Sequence, residues 1–233
     1  MAKQLYDYWF VQFDFPDVDG KPYKSSGGEM MWNEKLKREI PKEWNQGVLV
    51  DIANITMGQS PEGSSYNEEG NGILFYQGST DFGMRFPSVR QYTTAPSRYA
   101  KKGDILMSVR APVGTVNIAN NDCCIGRGLS ALNSKLGSTT HLYYILNDLK
   151  IAFDQRNAAG TTFGSITKED LYNLPIIIPS QEVISAFDIV CAPMFDRQMI
   201  LGEEIDSLTK QRDELLPLLM NGQVEVNYDL SDY

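Results

Sequence analysis

The run from Ser180 to Met220 most constrains what this chain can fold into, because its apolar residues recur at seven-residue intervals. Two interleaved seams carry the pattern: Phe187, Met194, Leu201, Leu208 and Leu215, and Cys191, Gln198, Ile205, Arg212 and Leu219. Alternating steps of three and four residues are typical of coiled-coil helices, in which polar seam residues such as Gln198 and Arg212 select register and partner. A helix of this length spans roughly 60 Å. One narrow apolar seam on such a helix predicts pairing with another helix.

The two ends of this predicted helix carry capping signals. Ser180 can cap its first turn, and Asn221-Gly222 can end its last turn. Pro193 and Pro217 interrupt the seam, so we expect a kinked start and an irregular end. The alternative interpretation is an ordinary amphipathic helix that packs along its own domain.

The length and the cysteine content limit the class of protein. A chain of 233 residues can form one sizeable domain with extensions, or two small domains. The sequence contains neither an apolar run long enough to span a membrane nor a basic–apolar leader. Its three cysteines include the adjacent pair Cys123-Cys124 but no C-x-x-C spacing. We therefore expect a reduced, cytoplasmic protein with no membrane partner.

The formal net charge of −9 argues at first against a nucleic-acid partner, but the charges are unevenly distributed. Residues 179–233 carry three basic and eleven acidic side chains, which accounts for nearly all of the excess. Residues 82–128 carry seven basic side chains against the two acidic residues Asp104 and Asp122. A locally basic face is compatible with phosphate contacts, although any fragment of a globular protein can be locally basic.

Short β-like runs, separated by Gly, Pro, Asn and Ser turns, recur through the middle of the chain. These runs are Val48–Ile52, Gly72–Tyr76, Ile105–Val109, Thr115–Ala119, Cys124–Ile125, Leu129–Leu132 and Leu174–Ile178. A helical segment, Thr139–Phe153, and a capping pattern at Thr167 and Asp170 accompany them. The pattern predicts an α+β fold: a globular domain with a curved, mostly antiparallel sheet, followed by a long coiled-coil-type helix.

This reading divides the chain into four parts. Residues 1–45 form an N-terminal extension or linker, and residues 46–178 form the globular domain. Residues 179–221 form the long helix, and residues 222–233 form a short acidic tail.

No residue pattern in the chain predicts catalysis or a metal site. The single histidine, His141, has no neighbours that would complete a nucleophilic triad or a set of metal ligands. Gly126-Arg127-Gly128 is too short for a dinucleotide-binding loop, and no P-loop is present. Ser165 and Lys168 match S-x-x-K without its companion motifs, so helix capping explains them better. The sequence therefore favours binding over chemistry.

A polar and aromatic stretch from Asp81 to Tyr99 is the strongest candidate for a binding surface. Arginine can read guanine, glutamine can read adenine, and Lys, Thr and Tyr side chains can hold phosphates. The candidate DNA-binding residues are Gln77, Arg85, Arg90, Gln91, Tyr92, Arg98, Tyr99, Lys101, Lys102, Thr161 and Thr162. The alternative for residues 81–99 is a solvated loop with a few packed aromatic residues. Gln77, Thr161 and Thr162 lie outside this stretch and are weaker candidates, for which a structural role is the alternative.

Several segments, in the same order along the chain, resemble the specificity (S) subunit of Type I restriction–modification enzymes. The matching segments are Trp44–Ile52, Gly58–Pro61, Gly103–Gly114, Ile125–Leu129, Gly160–Pro179 and Gln211–Pro217. One departure occurs at Pro179–Glu182, where members of the family often have a second proline followed by Glu-Gln. We expect only a local change at the start of the helix.

The resemblance implies a non-catalytic DNA-recognition subunit. Members of the family carry two target-recognition domains, each reading half of a split DNA site, and two helices that set the spacing and hold methyltransferase (M) subunits. This chain has one such domain and one long helix, and Ala2–Phe10 resembles the end of the helix that precedes a second domain. We therefore expect a half-subunit that pairs with a second copy or with another half-subunit. S-adenosylmethionine is expected on the M subunit, and the restriction (R) subunit joins through the complex.

Two other classes of function stay open at this point. The chain can be an inactive fragment, or a recombination reservoir of a specificity subunit, without DNA binding of its own. The more remote alternative is a hydrolytic enzyme with an unrecognised site. A pocket with clustered carboxylates of strongly shifted pKa would favour that alternative.

Overall fold

The computed structural model describes residues 1–158 and 164–224, with the backbone alone for residues 155–158. The chain forms two compact units, Met1–Phe195 and Asp196–Tyr233. The helices are α1 (Ala2–Tyr6), which continues as a π-helical turn at Asp7–Val11, α2 (Leu49–Ile52), α3 (Thr139–Ala158), α4 (Lys168–Tyr172) and α5 (Gln181–Met220), with 3₁₀ turns at Gly63–Ser65 and Ser79–Asp81. None of the described helices is both long enough and apolar enough to cross a membrane.

Thirteen strands lie in the described residues, and they form four sheets rather than a single curved one. The strands are β1 (Met30–Asn33), β2 (Arg38–Pro41), β3 (Asn45–Val48), β4 (Ala53–Met57), β5 (Tyr66–Asn67), β6 (Ile73–Tyr76), β7 (Gln91–Thr93), β8 (Tyr99–Ala100), β9 (Ile105–Ser108), β10 (Val116–Ile118), β11 (Cys123–Ile125), β12 (Leu129–Ser134) and β13 (Pro175–Ile178). Two larger sheets have the orders β10-β9-β12-β4 and β5-β7-β6-β11-β8, and β1-β2 and β13-β3 form two ribbons. The predicted α+β fold with mostly antiparallel strands is confirmed, and β6 with β11 is the parallel pair among the described strands.

The aromatic N-terminal segment belongs to the main hydrophobic core. Tyr6, Trp9 and Phe10 are 5%, 7% and 6% exposed, and the rings of Phe10 and Phe187 meet edge to face at 5.0 Å. Trp44 stacks on Phe15 at 4.8 Å, which ties the following segment to the same core. Burying several large aromatic rings supplies much of the apolar area of a core. Residues 1–45 therefore form part of the Met1–Phe195 unit, which differs from the extension predicted from sequence.

The strand prediction held for most of the apolar runs but was wrong at Val48–Ile52. There the chain leaves β3 at Val48 and forms the one-turn helix α2, in which the Asp51 side chain accepts a hydrogen bond from the Val48 N–H at 2.8 Å. The predicted helix Thr139–Phe153 is confirmed as α3, and the predicted cap at Thr167 is also confirmed. The Thr167 hydroxyl accepts from the Asp170 N–H at 3.1 Å, and the Asp170 carboxylate closes the capping box.

The predicted long helix is present as α5, and it continues through both Pro193 and Pro217. Its C-terminus has the predicted glycine cap: Gly222 has φ +65°, and the Gln223 N–H donates to the Leu218 carbonyl at 2.9 Å. A 3.2 Å bond from the Gly222 N–H to the Leu219 carbonyl completes a Schellman motif.

Only part of the α5 seam is exposed and available to another helix. This corrects the prediction that all of the seam residues take part in helix pairing. Phe187 and Cys191 are fully buried in the core of the Met1–Phe195 unit, because the first turns of α5 pack against the N-terminal aromatic residues. Met194 is half-buried. The remaining predicted pairing residues are exposed: Gln198, Leu201, Ile205, Leu208, Arg212 and Leu215.

Candidate nucleic-acid interface

The parallel pairing of β6 and β11 brings two distant polar segments together. Leu74, Phe75 and Tyr76 lie opposite Cys123, Cys124 and Ile125, so both strands end at the same edge of the sheet. The residue after β6 is Gln77, and the residues after β11 are Gly126 and Arg127. The segments are held side by side by hydrogen bonds from the Gly126 N–H to the Tyr76 carbonyl at 2.8 Å and from the Gly128 N–H to the Gln77 carbonyl at 3.2 Å.

Glycines on both sides of Arg127 permit this close approach. A Cβ atom at Gly128 would lie 2.7 Å from the Gln77 carbonyl oxygen, and one at Gly126 would lie 3.0 Å from the Gln77 Cα. Gly58 also packs closely on this segment, since a Cβ there would lie 2.1 Å from the Gly126 carbonyl oxygen. A side chain at Gly126 or Gly128 would press against the backbone of Gln77. Arg127 itself is exposed.

Gln77 is held at this edge through both its backbone and its side chain. Its backbone N–H donates to the Asp81 carboxylate at 3.0 Å, and its side-chain amide contacts the Ser60 hydroxyl through Nε2 at 3.0 Å. The same hydroxyl accepts from the Arg127 N–H at 3.3 Å. Asp81 is 7% exposed and also receives Arg90 Nη1 at 3.4 Å. The half-buried Gln77 amide is therefore positioned before any ligand arrives.

A groove of about 250 Å³ opens next to Gln77. Its walls are Gln77, Gly78, Ser79, Thr80, Arg110, Ala111, Arg127 and Gly128. Arg110 follows β9, where the Val109 N–H donates to the Gly128 carbonyl at 2.9 Å. Both Arg110 and Arg127 are exposed, and neither guanidinium has an ion-pair partner within the described residues. The groove therefore combines two cations, two hydroxyl groups and one carboxamide.

Six further predicted residues lie in or beside the same five-stranded sheet, at different positions. Gln91 and Tyr92 are half-buried in β7, where they lie opposite Phe75 and Leu74 of β6. Arg98, Tyr99, Lys101 and Lys102 lie at and beside β8, the edge strand that pairs with β11. All four are exposed, including Tyr99 at 54%, so they form a basic and aromatic edge.

Arg85 is the predicted residue that the fold directs elsewhere. Its guanidinium lies 4.7 Å from the Phe195 ring centre and 5.8 Å from the Tyr143 ring centre, away from the groove residues. The Nε and Nη2 atoms are buried without a hydrogen-bond partner among the described residues, and burial lowers the pKa of Arg85. Arg85 thus packs the loop after β6 against Tyr143 of α3 and Phe195 of α5, which corrects its assignment as a DNA contact.

Two predicted residues, Thr161 and Thr162, lie outside the described residues. Within the described part of the chain, no three His, Cys, Asp or Glu side chains cluster closely enough to hold a metal ion. His141, the only histidine, is 2% exposed and lies in the hydrophobic core, not at the groove.

Sequence reasoning missed four polar groove residues, Ser79, Thr80, Arg110 and Arg127, and it missed Ser60, which holds the Gln77 amide. In the sequence, Arg127 stands out only as part of the short Gly126-Arg127-Gly128 motif, and Arg110 is not among the candidate DNA-binding residues. The available signal was the pair of glycines around an arginine after an apolar run, because glycines at such positions permit close backbone approach. The arrangement of arginine, carboxamide and hydroxyl groups is suited to phosphate oxygens and base edges.

Comparison with known proteins agrees with this architecture. A family model described as "Type I restriction modification DNA specificity domain" matches residues 41–187. The chain is 36% identical over 195 residues to a Methanocaldococcus jannaschii protein assigned as the type I restriction enzyme MjaX specificity subunit, and covers 45% of its length. It is 27% identical over 243 residues to the MjaIX specificity subunit of the same organism. The two alignments include 81% and 97% of this chain, respectively. They cover 45% and 52% of the two relatives, so this chain spans about half of their length.

Solved structures give the same result for the fold. The HsdS subunit from Thermoanaerobacter tengcongensis matches with 31% identity and a TM-score of 0.57, over 95% of this chain and 51% of that one. A chain from a structure concerned with complex assembly and conformational transition of the type I R-M system matches with 32% identity and a TM-score of 0.56, over 92% of this chain and 50% of that one. The S subunit from M. genitalium, at 17% identity and a TM-score of 0.57 over 92% and 52%, shares the fold.

Proposed function

Because the chain belongs to the family of Type I restriction–modification DNA specificity domains, we propose that its globular domain reads one half of a bipartite DNA site. The half-site is read from the groove at Gln77, Arg110 and Arg127 and from the basic edge at β8. In this role the chain binds DNA and directs partner enzymes, and it performs no chemistry of its own.

The observation that carries this proposal is the composition of the groove. Arg110 and Arg127 are exposed cations without ion-pair partners among the described residues, beside a Gln77 amide already held in position. Arginine and glutamine are the side chains that read guanine and adenine by paired hydrogen bonds, while Ser79 and Thr80 can donate to phosphates. Residues 179–233 carry nearly all of the acidic excess, so the formal net charge of −9 does not argue against DNA binding by the globular domain.

The exposed part of α5 supports the second element of the proposal, a helix partner. Leu201, Ile205, Leu208 and Leu215 are 39%, 60%, 57% and 50% exposed and recur with heptad spacing. An uncovered apolar seam of this kind is stabilised by packing against another helix. We propose that a second copy of the chain, or another half-subunit, supplies that helix and the second half-site reader.

The remaining partners follow from the family. The paired helices hold M subunits, which bind S-adenosylmethionine and transfer its methyl group to the DNA, and the R subunit joins this complex. The acidic surface of α5 faces protein in this arrangement, where it does not meet phosphates.

Co-expression with a cognate M subunit, followed by mapping of methylated bases in genomic DNA, tests the proposal. A homodimer reads the same half-site twice, so we expect a new motif with identical halves in opposite orientation. A motif with two different halves would identify another half-subunit as the partner. Absence of any new motif, although the chain and the M subunit co-purify, would contradict the proposal and favour an inactive fragment.

A further inference from the structure

A second cavity, of about 220 Å³, lies within the Met1–Phe195 unit between the N-terminal helix, the β1–β2 ribbon, α3 and β13. It shares no lining residue with the groove at Gln77 and Arg127. The rings of Tyr6, Phe10 and Trp44 form aromatic walls, and Arg38, His141 and Asp148 supply polar groups. Drug-sized ligands occupy pockets of roughly 300 Å³ and more, so this cavity fits a single ring with one substituent.

His141 is the polar group buried deepest in this cavity. It is 2% exposed, and its ring packs 4.6 Å from the ring centre of Phe10. No hydrogen bond joins its ring nitrogens to a residue that the structure describes, although its backbone N–H donates to the Ser138 hydroxyl. A buried imidazole normally has a hydrogen-bond partner, so the ring leaves one donor and one acceptor available to a ligand.

Arg38 is the second polar group with unused hydrogen-bonding capacity. Its Nη2 donates to the Val11 carbonyl at 2.9 Å, and its guanidinium lies over the Phe13 ring at 4.7 Å. No carboxylate of a described residue lies within ion-pair distance of it. A guanidinium has five N–H donors, so several are available to an acceptor in the cavity.

The carboxylate of Asp148, unlike the side chains of Arg38 and His141, already has side-chain hydrogen-bond partners among the described residues. Its Oδ1 accepts from Lys3 Nζ at 3.0 Å, and its carboxylate also interacts with the Tyr6 hydroxyl. Lys3 binds Asp7 as well. Asp7 and Asp148 therefore share Lys3 at ion-pair distance, whereas Arg38 interacts with Asp148 only beyond that distance and makes no direct contact with a carboxylate among the described residues.

We propose that this cavity binds a small aromatic carboxylate. The ring lies among Tyr6, Phe10 and Trp44, and the carboxylate accepts hydrogen bonds from Arg38 and from the His141 N–H. A charge-assisted bond to a guanidinium is about twice as strong as a neutral one, which favours a carboxylate over an amide. Pro179, the second residue before α5, also lines the cavity, so a bound ligand stabilises the base of that helix.

Three probes of similar size, each a benzene ring with one polar substituent, test the charge preference in the full chain: benzoate, benzamide and benzylammonium. Binding can be followed by calorimetry and by tryptophan fluorescence, because Trp44 lines the cavity. We expect saturable binding of benzoate with a dissociation constant on the order of 1 mM or tighter, weaker binding of benzamide by roughly tenfold, and no binding of benzylammonium. Equal binding of benzoate and benzamide, or no saturable binding of benzoate, would overturn the proposal.

Variants then place the ligand in this cavity. Arg38→Gln should weaken benzoate binding by roughly tenfold, whereas Lys35→Gln, which removes the same charge from an exposed position of the same hairpin, should leave it unchanged. Leu36→Trp fills the cavity without changing charge and should abolish binding of benzoate, and it gives an independent result if Arg38→Gln does not fold. Unchanged binding in a folded Leu36→Trp variant would exclude this cavity as the site.

Discussion

The side-chain amide of Gln77 and the hydroxyl of Ser60 lie 3.0 Å apart, although 17 positions separate them in the chain. The same hydroxyl accepts a hydrogen bond from the Arg127 N–H at 3.3 Å. Ser60 therefore orients the side-chain amide of Gln77, which we propose reads a base. It also fixes the backbone of Arg127, which we propose contacts a phosphate or a base. A residue in this position influences DNA recognition without having to touch DNA.

Ser60→Ala is expected to relax sequence preference more than it weakens binding as a whole. The Gln77 amide loses its partner and gains rotational freedom, while Arg110 and Arg127 keep their charges. One well-oriented pair of hydrogen bonds to a base contributes about 1–3 kcal/mol of discrimination. Selection from random duplexes measures the loss at one base position, with the exposed Ser64→Ala as a matched control. An unchanged selected motif would show that Ser60 does not orient the reader.

Arg127→Gln is expected to weaken DNA binding because it removes an exposed cation from the groove. If Arg127 binds a phosphate, the slope of log affinity against log salt concentration falls by about one unit. If it reads a guanine, affinity falls by about 1–3 kcal/mol for the preferred sequence alone. Fluorescence anisotropy at several salt concentrations separates the two cases. Lys24→Gln, which removes an exposed charge from another segment, should behave as wild type.

The local features of this fold could be predicted because neighbouring residues determine them. The Thr167–Asp170 capping box, the Gly222 end of α5 and the helix α3 all depend on contacts within a few positions. The groove could not be predicted, because it depends on the parallel pairing of β6 with β11, whose partners Tyr76 and Ile125 are far apart in sequence. Parallel pairing of distant strands leaves no spacing signal in a single sequence.

Long-range packing also explains the three corrected side-chain assignments, Arg85, Phe187 and Cys191. Arg85 occurs in a stretch of alternating basic and aromatic residues, and only the fold directs it towards Tyr143 and Phe195. Phe187 has the heptad spacing of an exposed seam, but the N-terminal aromatic residues cover it. A periodic pattern identifies the apolar face of a helix and does not say which part of the chain packs against it.

Thr167→Ala is expected to reduce the stability of the Met1–Phe195 unit by about 1 kcal/mol, because the Asp170 N–H loses its capping acceptor. Thr167→Ser keeps the hydroxyl and should retain most of that stability. The free energy of unfolding in urea measures both changes. Equal destabilisation by the two variants would indicate that the methyl group of Thr167, and not the cap, is the stabilising element.

Ile205→Asp is expected to dissociate the proposed helix pair, because it places a charge in the apolar seam at a position that is 60% exposed in the single chain. Ser207→Asp adds the same charge to the same helix outside the seam and should leave association unchanged. Sedimentation velocity of the purified chains measures the result. Wild-type protein that sediments as a monomer at concentrations where the M subunit binds it would contradict self-pairing and favour another half-subunit.

His141 is expected to make folding stability depend on pH below neutrality. Burial lowers the pKa of His141 from 6.5 to about 4, so the unfolded chain binds this proton more readily than the folded one. The neutral buried ring makes its full contribution to the free energy of unfolding above about pH 6.5. This contribution, about 3 kcal/mol in total, is lost as the pH falls towards 4. His141→Phe keeps a ring against Phe10 and should remove this part of the pH dependence.

Urea unfolding of both proteins at about pH 7 and at about pH 4.5 tests this expectation, since one fully titrated group changes the unfolding free energy by up to 1.4 kcal/mol per pH unit. The carboxylates are common to both proteins, so their contributions cancel in the comparison. The chain contains no second histidine that would titrate in the same range. The difference in unfolding free energy between the two pH values should be smaller in the variant. If this difference in unfolding free energy is the same in both proteins, the ring of His141 takes up its proton as readily in the folded chain as in the unfolded one. That result would require access of water to the cavity that His141 lines.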